Sequence, residues 1–104
     1  MRYYPVTLDK VRNLKYGMKA LDLIEKKLKK KITKIDLNDL SMEETAVFIW
    51  AGLVHEDRDL TPNKIMDLVD EYYSLPKINE DVANAINESF GNEETEGTED
   101  EKNA

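Results

Sequence analysis

The sequence predicts a mainly α-helical protein: a small bundle of about four helices in one domain, residues 1–90, followed by a disordered acidic segment at 91–104. Apolar residues recur at helical spacing through most of the chain, and helix-capping signals precede two of these stretches. The last 14 residues contain no large apolar side chain and cannot bury enough surface to fold. With 104 residues, the chain has room for one domain.

Residues 1–16 are compatible with two structures. In a β-hairpin, apolar and polar side chains would alternate over residues 6–8 and the turn would fall at residues 9–10. The alternative is a helix that begins after Thr7. The hairpin is favoured, although its turn lacks glycine and Pro5 is compatible only with an edge strand.

The first clear helix covers Met18 to about Lys30, and an ordered connection at 32–40 follows it. The apolar stripe of this helix consists of Met18, Leu21, Ile24 and Leu28. In the connection, the apolar residues expected to pack on the core are Ile32, Ile35, Leu37 and Leu40.

Ser41 and Glu44 match a capping box, which predicts a second helix running to about His55. This stretch is apolar nearly all round, as is typical of a central buried helix. Trp50, near its middle, is therefore expected in the core.

Thr61 and Pro62 are a cap and a first-turn proline, and they predict the start of a third helix. Its inner stripe would contain Ile65, Leu68, Val69, Tyr72 and Tyr73. Pro76 is expected to end it. A fourth helix would begin at Asn79 or Glu80 and end at Gly91 as a C-terminal cap.

Charge is distributed unevenly within a net charge of −7. Residues 1–34 contain 11 basic and 3 acidic side chains, residues 35–90 contain 3 and 13, and residues 91–104 contain 1 and 6. The lysine-rich segment 26–34 could bind nucleic acid or form the solvated end of a helix. The acidic remainder of the chain favours the second interpretation, since it would repel phosphate.

The composition excludes several functional classes. There is no cysteine, hence no disulfide framework, thiolate metal site or cysteine nucleophile, and His55 is the only histidine. No apolar run approaches the roughly 20 residues that cross a bilayer. The N-terminus also lacks the apolar stretch of a signal peptide, which predicts a soluble, intracellular protein.

The densest polar cluster, at 55–59, does not have the spacing of a catalytic or metal site. A zinc-protease motif would need a second histidine where Asp59 stands, and a calcium loop from Asp57 would need glycine at Pro62 and glutamate at Leu68. No nucleophilic triad, glycosidase carboxylate pair or glycine-rich phosphate loop is recognisable either. A charged interhelical loop, without enzymatic activity or cofactor, is the favoured interpretation.

Two stretches of the chain resemble a known family. LKYGMKALDLIEKKL at 14–28, followed by IDLNDLSMEETAVFIWAGLVHEDRDLTPNKIMDLVDEY at 35–72, resembles the tail assembly chaperones of long-tailed phages and the related gene transfer agent proteins. That family joins a start of the form L-x-Y/F-G/D-x-x-A-L-x-x-L-E to a later block of the form LLWAGLxHEDPxLT. The resemblance covers about residues 11–73, and Arg58 stands where the family commonly has proline.

The resemblance implies a helical protein of the bacterial host cytoplasm that is absent from the finished tail. Such proteins bind the tape measure protein, keep its helices soluble and deliver tail tube subunits during assembly. The alternative function, from the residues alone, is a small nucleic-acid-binding regulator that uses the lysine-rich segment 26–34.

The client or self-association surface is predicted to include Met66, Tyr72 and Tyr73. A binder of apolar helical stripes needs an apolar groove, and methionine side chains adapt to varied partners. The apolar residues that are hard to place fully inside the bundle are Tyr3, Tyr4, Met42, Met66, Tyr72 and Tyr73. The competing interpretation is that these side chains complete a small core.

Overall fold

The computed structural model describes residues 3–91 and confirms the predicted fold class, four helices preceded by an antiparallel hairpin. The elements are β1 (Tyr4–Thr7), β2 (Val11–Leu14), α1 (Met18–Leu28), a 3₁₀ turn (Ile32–Lys34), α2 (Met42–Leu53), α3 (Pro62–Tyr72), α4 (Leu75–Ile86) and a π-helical turn (Asn87–Gly91). Within this part of the chain, the buried apolar side chains form one cluster. The predicted disordered segment lies outside the described residues from position 92 onward.

The N-terminal hairpin was correctly favoured over a helix. β1 and β2 pair in the register Tyr4↔Leu14 to Thr7↔Val11, so residues 8–10 form the connection. Arg12 holds this turn: its Nε and Nη2 donate to the two carboxylate oxygens of Asp9 at 2.9 and 3.0 Å. Pro5 is tolerated because both strands of a two-stranded sheet are edges.

Helix α1 starts without a capping side chain and ends at a residue in the left-handed conformation. Gly17 precedes it without a side-chain cap, and Lys29 ends it in a left-handed conformation at φ 58°. Ala20 and Ile24 are its buried residues. Met18, which was expected on the inner stripe, is the first residue of the helix and is 86% exposed.

The central helix is α2, as its all-round apolar sequence predicted. The Ser41 hydroxyl accepts from the Glu44 N–H at 3.1 Å, and the Glu44 carboxylate accepts from the Ser41 N–H at 2.9 Å, so the predicted capping box is present. Trp50, which was expected in the core, is only partly buried: it packs against the core cluster, and the Lys27 Nζ lies 5.9 Å from its ring centroid. Its Nε1 donates to the Leu60 carbonyl oxygen at 3.0 Å.

The start of the fourth helix was predicted wrongly. Pro76 does not end α3 but lies in the first turn of α4, where a residue without an N–H leaves no hydrogen bond unmade. Ser74 is the cap, its hydroxyl accepting from the Lys77 N–H at 3.2 Å, and α4 therefore starts at Leu75 rather than at Asn79 or Glu80. Its α-helical part ends at Ile86, and the π-helical turn continues the helical backbone to Gly91, where the sequence predicted the end.

Candidate functional site

An apolar groove lies between α2 and α3 and is closed at one end by the start of α4. Its volume is about 220 Å³. Its lining contains two polar residues, Thr45 and Asp70. The apolar lining residues are Met42, Ala46, Ile49, Ile65, Met66, Val69 and Leu75.

Helical spacing explains why these residues share one groove. Met42, Ala46 and Ile49 recur at three- and four-residue intervals and so lie on one face of α2. Ile65 and Val69 do the same on α3, and Ile49 and Ile65 at the bottom of the groove are fully buried. The rim is more open, since Met42 is 52% and Leu75 is 44% exposed.

The structure separates the three residues predicted to form a binding surface. Met66 lines the groove and packs against the core cluster. Tyr72, the last residue of α3, is 49% exposed and is not among the residues that line the groove. Tyr73 follows α3 as its C-terminal cap residue and directs its hydroxyl to Asp81 of α4.

A buried carboxylate that sequence reasoning missed explains the position of Tyr73. Asp81 is 2% exposed and accepts hydrogen bonds from the hydroxyl of Tyr73, the hydroxyl of Tyr4 at 3.2 Å and the Lys77 Nζ at 3.0 Å. Burial and the bond to this carboxylate raise the pKa of Tyr73. The group fastens β1, α3 and α4 together. Lys77 is one helical turn away, but Tyr73 and Tyr4 lie 8 and 77 positions away in sequence, so no local pattern predicts that they meet at Asp81.

The polar cluster at 55–59 is attached to the hairpin. The His55 Nε2 lies 2.8 Å from the Asn13 carbonyl oxygen, and the Glu56 carboxylate accepts from the Asn13 backbone and side-chain N–H groups at 3.2 and 3.1 Å. Burial raises the pKa of Glu56, but the Asn13 bonds outweigh it and the pKa lies below its usual value. Asp57 accepts from the Arg12 Nη1 at 3.5 Å. These partners are structural, in agreement with the interpretation as a charged loop.

The lysine-rich segment 26–34 is only partly available to a ligand. Lys26 pairs with Asp22 at 3.1 Å, Lys30 pairs with Glu44 at 2.9 Å, and the Lys27 Nζ lies 5.9 Å from the centroid of the Trp50 ring. Lys31 and Lys34 are exposed. Half of the cluster is therefore engaged with side chains of its own domain.

Two kinds of site are not found among residues 3–91. No group of three or more His, Cys, Asp or Glu side chains in this range is placed to hold a metal ion. No helix in the same range is long and apolar enough to cross a membrane.

Comparisons with known proteins add no relative. No protein-family model matches the chain, and no curated protein or solved structure matches it significantly.

Proposed function

We propose that this chain is a non-enzymatic tail assembly chaperone of a long-tailed phage, acting in the cytoplasm of the bacterial host. Its clients would be apolar helical segments of the tape measure protein, and it would act together with tail tube subunits. The observation that carries the proposal is the apolar groove between α2 and α3 with its exposed rim residues, Met42 and Leu75.

The size of the groove suits side chains of a helix better than a small molecule. At about 220 Å³ it is smaller than the roughly 300–1,000 Å³ of typical small-molecule pockets. Two neighbouring anchors of an amphipathic helix, one turn apart, would fit along it. Met42 and Met66 are flexible and can repack around clients of different shape.

The charge at the rim indicates what should flank the apolar stripe of the client. Asp70 lies at the groove, and residues 35–90, which build most of it, contain 13 acidic against 3 basic side chains. A client with lysine or arginine beside its apolar stripe would bind with favourable electrostatics, and one with glutamate there would be repelled.

The resemblance supports the same proposal, because its two blocks are in contact in the fold. The Tyr16 hydroxyl, from the first block, donates to the Phe48 carbonyl oxygen of the second at 2.6 Å. The second block provides α2 and α3, and with them nearly the whole lining of the groove.

Binding to overlapping tape measure fragments from the same genome tests the proposal. The double variant Met42→Lys/Leu75→Lys places two charges on exposed rim positions and should weaken binding by about tenfold or more, the size of an interface hot-spot effect. The matched control is Val11→Lys/Met18→Lys, which adds the same charge at exposed residues outside this groove. Calorimetry gives the affinity, and circular dichroism checks the fold.

Three results would contradict the proposal. One is the absence of binding to any tape measure fragment. Another is equal loss of affinity in the groove variant and its control. The third is a genome neighbourhood without a tail tube gene upstream and a very long helical tape measure gene downstream.

The alternative function, nucleic-acid binding, is supported by the exposure of Lys31 and Lys34. A mobility shift with duplex DNA that is weakened by salt and abolished by Lys31→Glu/Lys34→Glu would favour it. Retained client binding in that variant would assign the client to the groove and the DNA to the lysines.

A further inference from the structure

A second groove of opposite character lies between the start of α1 and the end of α2, with a volume of about 670 Å³. Three basic side chains line it, those of Lys15, Lys19 and Arg58, together with the imidazole of His55. None of its lining residues is Asp or Glu, although the net charge of the chain is −7. This α1–α2 groove is the basic feature that the client-binding proposal leaves without a role.

The cations of the α1–α2 groove lack acidic partners within residues 3–91. Lys15, Lys19 and Arg58 take part in none of the salt bridges of this range, whereas Lys26 and Lys30 further along are paired. α1 also begins at this groove with no side-chain cap and no acidic residue in its first turn, so the positive end of its dipole adds to the field. The groove is therefore suited to a segment with several carboxylates.

We propose that the acidic segment 93–101 of this same chain binds in the α1–α2 groove. The segment contains six acidic and no basic side chains. It is the part of the chain whose charge is most complementary to Lys15, Lys19 and Arg58, and it follows directly on the described residues. This inference does not depend on the client-binding groove, which lies on the other side of α2.

The segment is long enough to reach. From Gly91, the chain can extend about 33–36 Å to Glu101 at 3.3–3.6 Å per residue, against a longest domain dimension of 45 Å, so the end of the segment at residues 99–101 reaches furthest. Two consecutive residues shorten the distance to be covered, because they join α4 to the groove. Tyr4 contacts Asp81 and Asn84 of α4, and the ring of Tyr3 packs on His55 at the groove edge with centroids 5.7 Å apart.

Binding of this kind depends on charge and on linkage rather than on packing. The segment has no large apolar side chain, and a single exposed ion pair contributes little to stability. Attachment to the same chain supplies an effective concentration on the order of millimolar, which compensates for weak individual contacts. The contact should therefore be lost at high salt, and the segment should compete with other anions for the groove.

A spin label placed in the segment tests the proposal. The chain has no cysteine, so Thr98→Cys gives a single attachment point in the full chain. At low salt, the amide signals of residues 15–23 and 51–58 should broaden at least twofold more than those of the α2–α3 groove. They should recover near 1 M NaCl, where the Debye length is about 3 Å.

Charge reversal at the groove supplies the decisive comparison. Lys15→Glu/Lys19→Glu should abolish the broadening, whereas Lys31→Glu/Lys34→Glu, the same charge change outside the groove, should preserve it. If the first variant fails to fold, Arg58→Glu in the exposed loop replaces it.

Several outcomes would overturn the proposal. These are no broadening, broadening centred on residues 26–34, or broadening that persists in the groove variant. Equally strong broadening of isotope-labelled copies that carry no spin label, when mixed with spin-labelled copies, would place the segment on a second copy of the chain instead.

Discussion

The ring of Tyr16 lies so close to Gly52 that no other residue fits at position 52 without movement. A Cβ built on Gly52 would be 2.8 Å from the Tyr16 Cζ and 2.9 Å from the Leu14 Cδ2. The Tyr16 hydroxyl passes this point to donate to the Phe48 carbonyl oxygen, and the Lys15 N–H donates to the Gly52 carbonyl oxygen at 2.9 Å. The hairpin thus packs closely on α2 at a glycine in the last turn of that helix.

Gly52→Ala should destabilise the protein despite the higher helix propensity of alanine. Overpacking typically costs about 1–3 kcal/mol, and the propensity gain offsets at most about 1 kcal/mol of it. A net loss of about 1–2 kcal/mol is expected. Urea unfolding followed by Trp50 fluorescence measures it, since Trp50 is the only tryptophan.

A double-mutant cycle identifies the cause. In a Tyr16→Leu background the ring is gone, so adding Gly52→Ala should cost less than in the wild type. Equal costs in both backgrounds would show that the Tyr16 ring is not what restricts position 52.

Local signals predicted much of the fold because they involve neighbouring residues. Ser41 and Glu44 are three positions apart, and their capping box fixed the start of α2 from sequence. Pro76 was misinterpreted because this local signal is ambiguous: a proline is compatible with the end of one helix and also with the first turn of the next. The Ser74 cap, which distinguishes the two cases, was not recognised.

The candidate site was predictable only in part because it depends on distant residues. Met66 was identified from its position beside an apolar stripe, and it does line the groove. Leu75 was missed because Pro76 was expected to end the third helix, whereas Leu75 is the first residue of α4. The role of Tyr73 could not be found either, because the carboxylate it binds becomes buried only when β1, α3 and α4 meet.

Trp50→Ala should destabilise the protein by about 3 kcal/mol, the lower end of the range for large core truncations, because the indole is only partly buried. Trp50→Phe retains most of the packing and loses the hydrogen bond to Leu60, at a cost of about 1 kcal/mol. Circular dichroism in urea measures both variants. If Trp50→Ala lowers the free energy of unfolding by less than about 1 kcal/mol, Trp50 behaves as a surface residue and not as part of the core.

Asp9 should make stability sensitive to acid. Its hydrogen bonds from Arg12 hold the pKa of the Asp9 carboxyl below its usual value of about 3.9. A carboxyl group whose pKa is lower in the folded state than in the unfolded state stabilises the fold at pH values above the unfolded-state pKa. This stabilisation is lost as the pH falls through the folded-state pKa. The stability difference between wild type and Asp9→Asn should therefore be large at pH 7 and shrink below about pH 4.

Asp39→Asn is the control for this pH dependence, because Asp39 is exposed and forms no salt bridge within residues 3–91. Urea midpoints at several pH values give both differences. A gap for Asp9→Asn that stays constant from pH 7 to pH 2.5 would show that the Arg12 contact does not favour the ionised carboxyl.

Met66 and Tyr73 should separate into a binding residue and a stability residue. Met66 lines the α2–α3 groove, so if the proposed function holds, Met66→Lys should weaken binding of a tape measure fragment while the domain stays folded. Tyr73 donates to buried Asp81, and Tyr73→Phe should cost about 1–3 kcal/mol of stability because that carboxylate loses a donor. Client affinity, measured where the variant is fully folded, should be unchanged by Tyr73→Phe.

Tyr72→Phe is the matched control on stability, since the Tyr72 side chain is about half exposed and has no hydrogen-bond partner in the described part of the chain. If Tyr73→Phe weakens client binding as strongly as Met66→Lys, the client surface extends from the groove to the end of α3, and the three residues first grouped by sequence would belong to one site.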